Sequence, residues 1–180
     1  MKKILLLMSI VVAINTAAQS KDYLLSLDGI GSLKLGMSLT ELNKLLHTKV
    51  TLKVIDIDSV RLTETVDAKY KGIDVKIDLI KWPDETIVVD GISTRSTLCK
   101  TKSGIGIGAT KLQIIAAYEG YYIDAKPVYE YEGDNKPKKS KTKSTITIKE
   151  DEEGFAIVFD LLNKKVVSFS VIPIFDDEEG

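Results

Sequence analysis

The chain has one cysteine, one histidine and one tryptophan in 180 residues, and each scarcity closes off a class of function. Cys99 has no second thiol to pair with, so the fold must be held by its core rather than by disulfide staples. Its side chain is expected to be a small buried hydrophobe, not a reactive or intermolecular thiol. His47 alone builds no zinc site without cysteine or carboxylate help. A serine-led triad would have to use His47 as its base, and no nucleophile-elbow pattern surrounds any serine. His47 is expected near the end of a helix, where it suits the helix dipole. No enzyme, cofactor or metal is expected on these grounds.

An excess of one charge sign is also missing. Basic residues number 25 and acidic residues 26. Lys2 and Lys3 are the only charged residues among the first 18, so without them the chain is near −3 (25 less 2 against 26). A nucleic-acid partner would require a basic face, so none is expected. No apolar run is long enough to span a membrane either. The longest, residues 4–14, covers 11 positions and is broken only by Ser9, where a spanning helix needs about 20.

That run follows Lys2-Lys3 and precedes Thr16-Ala17-Ala18, which is the three-part layout of a secretory leader. Residues 1–18 are therefore expected to be a signal peptide, with no membrane anchor and no cysteine beside the cut to carry a lipid. The processed chain is expected to be exported, periplasmic or secreted, and monomeric.

What the chain has instead is an internal echo. Leu33-Lys34-Leu35-Gly36-Met37-Ser38 is followed three residues later by Glu41, and Ile105-Gly106-Ile107-Gly108-Ala109-Thr110 three residues later by Gln113. Both halves of this pattern end in a capping box, a hydroxyl that bonds the N–H three residues on while Glu or Gln reaches back. Leu39, Leu42, Leu45 and Leu46 then define one apolar face of a first helix. Ile114, Ile115 and Tyr118 define that of a shorter second helix, stopped by Gly120.

Strands follow each helix. Ile73, Val75, Ile77 and Leu79 alternate with charges after the Lys71-Gly72 turn, and Phe155, Ile157, Phe159 and Leu161 repeat the alternation after Gly154. These eight residues are expected to face the helices, with Asp74, Lys76, Asp78, Val158 and Asp160 on the opposite face. The second copy is ten residues longer, and residues 136–143, with five lysines, are expected to be an insertion in an exposed hairpin loop.

The Gly-Ser/Thr motifs and their succeeding strands resemble the beta-lactamase inhibitor protein fold, and the single-copy outer-membrane assembly lipoproteins of the SmpA/OmlA (BamE-like) type. The resemblance implies a curved sheet with helices on one face and a protein partner on the other. The expected fold is accordingly α+β: two tandem helix-plus-antiparallel-sheet repeats, residues 19–98 and 99–175, forming one curved sheet with helices on one face, before an acidic disordered tail at 176–180.

Catalytic patterns are weak. The Gly104-Gly106-Gly108 spacing lacks the Gly-Lys-Ser/Thr ending of a phosphate loop, and its third glycine comes one place early for a dinucleotide fingerprint. Asp74 and Asp78 lie about 13 Å apart along one strand, beyond the separation of glycosidase carboxylates. Residues 150–153 are acidic but lack EF-hand spacing.

Binding remains. The expected function is that of a non-enzymatic protein-interaction or inhibitor-like module acting on an unidentified envelope or extracellular protein. It would use the open sheet face and hairpin tips, with Trp82, Tyr129, Tyr131 and Val158 as contact residues. The alternative is a carrier or sensor for a small apolar ligand or lipid held between sheet and helices, which requires a cavity there.

Overall fold

The computed structural model describes residues 20–50, 62–131, 136–150 and 154–174. The expected leader, the acidic tail and most of the acidic 150–153 segment lie outside those residues.

Short strands β1 (Leu24–Ser26), β2 (Gly29–Ile30) and β3 (Leu33–Lys34) precede helix α1 (Leu39–Leu46). Strands β4 (Leu62–Tyr70), β5 (Ile73–Lys81), β6 (Ile87–Thr94) and β7 (Lys100–Thr101) lead to helix α2 (Lys111–Ala117). The chain ends in β8 (Tyr122–Glu130), β9 (Lys138–Lys149), β10 (Phe155–Leu162) and β11 (Lys165–Pro173). The main sheet has seven strands in the order β4-β5-β6-β11-β10-β9-β8, and every neighbouring pair is antiparallel. A four-stranded sheet, β3-β2-β1-β7, completes the fold.

The expected pair of helix-plus-sheet repeats is overturned. The protein is mostly β, with two sheets and two helices of 8 and 7 residues among the described residues. Helices of two turns bury little by themselves, and only Leu42 and Ile114 are fully buried from them. The small sheet also ignores the expected boundary at residue 98: β7 runs parallel to β1, pairing Leu24 with Lys100 and Leu25 with Thr101.

The echo survives as local chemistry. Ser38 and Thr110 each complete a capping box, with Glu41 and Gln113 reaching back to the cap N–H at 2.9 and 2.8 Å. Gly36 and Gly108 both adopt positive φ, 74° and 86°, which lets the chain turn into the cap without a Cβ penalty. Each then clips its helix to a central strand. The Gly36 N–H donates to the Val89 carbonyl and Met37 accepts from Val89; Gly108 and Ala109 do the same with Val166.

The alternation also places side chains as expected. Ile73, Val75, Ile77, Leu79, Ile157, Phe159 and Leu161 are buried and Phe155 is half-buried. The seven buried ones join Leu42, Ile114, Phe169 and Cys99 in one core. Two details of α2 differ: Ile115 is exposed, and Tyr118 rather than Gly120 ends the helix. The lysine segment is not a loop. From Lys138 it is strand β9, paired with β8 as the outer part of a long hairpin.

Candidate functional site

The face of the large sheet turned away from the core carries a trough of about 850 Å³. Its form follows from two β-bulges. Asp78 pairs with Gly91 and Leu79 with Val89, leaving Asp90 as the extra residue on β6. Asp160 pairs with Ser168 and Leu161 with Val166, leaving Val167 extra on β11. A bulge bends its strand and increases local twist, so bulges on the two central strands make that face concave.

Ser93 and Ser170 are direct cross-strand partners in the middle of the trough. Asp67, Lys69, Asp74, Lys76 and Asp78 line the flank formed by β4 and β5, and Asp160 and Ser168 line the other. Most of these charges are already matched: Lys69 with Asp74 at 2.7 Å and Lys76 with Asp67 at 3.0 Å. Asp78 accepts a hydrogen bond from the Thr65 hydroxyl, and Asp160 one from Ser168 Oγ at 2.7 Å. Arg95, exposed just past the end of β6, has no ion-pair partner among the described residues. The trough therefore presents a balanced polar surface with two hydroxyls at its centre and one uncommitted guanidinium at its end. Such a surface suits a polar segment with a carboxylate, which Arg95 can grip through paired N–H donors.

The four residues selected from sequence do not converge. Val158 is half-buried on this face, with Ser170 and Thr147 as its cross-strand partners, so it borders the trough. Trp82, 36 % exposed, sits at the β5–β6 turn at one end of the sheet. Tyr129 and Tyr131 are exposed near the opposite end, on and just beyond edge strand β8. Sequence reading missed Ser93, Arg95, Ser168 and Ser170. The signal for the three serines was small hydroxyl residues alternating with buried apolar ones on β6 and β11, where flanking strands carry charges; Arg95, just past β6, carried none.

The groups capable of chemistry are separated. Cys99 is fully buried, and that burial pushes its thiol up to about 11, beyond the weak opposing bond with Ser96. His47 is an exposed C-cap of α1 in the left-handed conformation. No three His, Cys, Asp or Glu side chains gather as a metal site among the described residues. Comparison with protein-family models, with curated proteins and with solved structures gives no match.

Proposed function

We propose that this protein is an exported, non-catalytic binding module that holds a protein partner on the concave face of its seven-stranded sheet. One observation carries the proposal: that face holds a concave trough of about 850 Å³ whose lining is mainly charged and hydroxyl-bearing residues, with Ala68 and Ile172 among them, while the opposite face is buried in the core. The leader-like first 18 residues support export, and the resemblance of the Gly-Ser/Thr motifs to the inhibitor fold supports a protein partner on this side. A carrier of apolar ligands has less support. Leu42, Ile114, Phe159 and Phe169 pack together in the core between sheet and helices, and most of the residues lining the trough are charged or carry hydroxyls.

The test blocks the trough without touching the core. Ser93→Arg with Ser170→Arg fills its centre, and Arg95→Ala removes its free cation. Affinity capture from an envelope extract should yield a partner with the unaltered chain and lose it with either variant, at an unchanged urea midpoint. A partner held equally well by both variants would place binding elsewhere.

A further inference from the structure

The outer part of the β8–β9 hairpin gathers lysines that the trough does not use. Lys136, Lys138, Lys139, Lys141 and Lys143 are all exposed along it. The pairing with β8 jumps from Pro127–Ser144 to Tyr129–Lys139, so residues 140–143 have no partner on β8, with Ser140 Oγ accepting from the Thr142 and Lys143 N–H groups. The Thr142 carbonyl accepts from the Asn163 N–H at 2.8 Å, which seats the β10–β11 turn against that segment and adds Lys164 and Lys165. Seven lysines thus gather at this end, with Glu130 paired to Lys143 at 2.8 Å.

Two further features set this cluster apart from an ordinary solvated edge. Asn163 and Lys164 both adopt left-handed φ, 51° and 65°. The corresponding tight turn between β4 and β5 has Gly72 at its second position, whereas here a lysine is kept in a conformation that favours glycine. Exposed apolar side chains also stand among the cations. Leu162 is the cross-strand partner of both Lys143 and Lys165, Tyr129 is that of Lys139, and Tyr131 is 74 % exposed. Arginine, whose fork reads individual carboxylates and phosphates, is absent from residues 128–143 and 162–165. Lysines interleaved with tyrosine and leucine suit a diffuse anionic surface at headgroup level.

We infer that this end of the sheet docks reversibly, end-on, on an anionic lipid bilayer. The inference rests on residues outside the trough and stands independently of the partner proposed above. The test uses the chain without its leader, sedimented with phosphatidylcholine vesicles with and without phosphatidylglycerol. Binding should require phosphatidylglycerol and fall steeply with salt. Replacing Lys139, Lys141 and Lys164 together by Gln should weaken it by roughly a hundredfold, at about fivefold per lysine. The same three positions changed to Arg should retain it. Tyr131→Ser should cost a few-fold, and because all four side chains are exposed the urea midpoint should not move. Equal binding to both vesicle types, or undiminished binding by the Gln variant, overturns the inference. So does capture of an acidic protein by the lysine end together with no vesicle binding.

Discussion

Strand β10 shows two faces that differ in kind. On one, Ile157, Phe159 and Leu161 are at most 2 % exposed. On the other, exposure climbs along the strand: Ala156 is buried, Val158 and Asp160 are half-buried, and Leu162 is open. Strand β5 runs the opposite gradient, from exposed Asp74 and Lys76 through half-buried Asp78 to buried Ile80. The core face is set by hydrophobicity. The trough face is mixed: Ile80 is buried at one end by hydrophobicity, and Ala156 and Gly91 are buried because they are small beside longer neighbours. Ala156 lies between Ile172 and Lys149, and Lys149 in turn covers the Tyr122 ring at 4.7 Å. A Cβ on Gly91 would come within 2.6 Å of Asp78 Oδ2.

The sharpest break in this comparison is expected at Phe159. It is fully buried between Tyr118 and Phe169, whose ring centroids lie 6.3 and 6.4 Å away. Phe159→Ala removes those contacts and leaves a cavity the sheet cannot close, at a cost of about 3–5 kcal/mol. A urea titration measures it. A loss near 1 kcal/mol would mean that the core face tolerates holes as readily as the open one.

How far the faces were legible in the sequence follows from these same residues. A period of two is a property of any strand, so Ile73-Val75-Ile77-Leu79 and Phe155-Ile157-Phe159-Leu161 declared their shared side before any tertiary contact was known. Capping boxes are equally local, and Ser38 and Thr110 form them as expected. Strand neighbours are not local. Nothing in the sequence marks Asp90 or Val167 as bulged, and the trough depends on both. The pairing of β1 with β7 is a contact across more than 70 residues, and it crosses the expected boundary at residue 98. Lysines suggested a loop because like charges are usually placed where backbone bonds face water; here Lys138, Lys139 and Lys143 are exposed on a strand whose backbone is paired, which satisfies the backbone and solvates the charge together.

The two helix caps allow a finer comparison. Thr110→Ala should cost about 1 kcal/mol, and Ser38→Ala a similar amount near neutral pH. Their acid behaviour should diverge. Hydrogen bonds from the Ser38 hydroxyl and N–H hold Glu41 below its ordinary carboxylate value, whereas the partner at Thr110 is the uncharged Gln113. A depressed carboxylate contributes stability above its unfolded pKa and loses it as pH falls through the folded value. The cost of Ser38→Ala should therefore shrink below about pH 4, while that of Thr110→Ala stays constant. Parallel pH profiles for the two variants would show that Glu41 contributes no more than a neutral partner.

The smallest effect is expected from the residue one step from Phe159. Val158 points to the trough face, half-buried between Thr147 and Ser170, and its environment already contains hydroxyls and the nearby Asp160. A carboxylate placed there keeps access to water, so Val158→Asp should cost no more than about 1 kcal/mol, within the range of partly exposed substitutions. The same change puts a negative charge beside Ser170, where the proposed partner would bring its own carboxylate toward Arg95. Capture of that partner should fall while the urea midpoint barely moves. Should Val158→Asp instead unfold the chain as Phe159→Ala does, both faces of β10 are core, and the trough is not a place where a partner can sit.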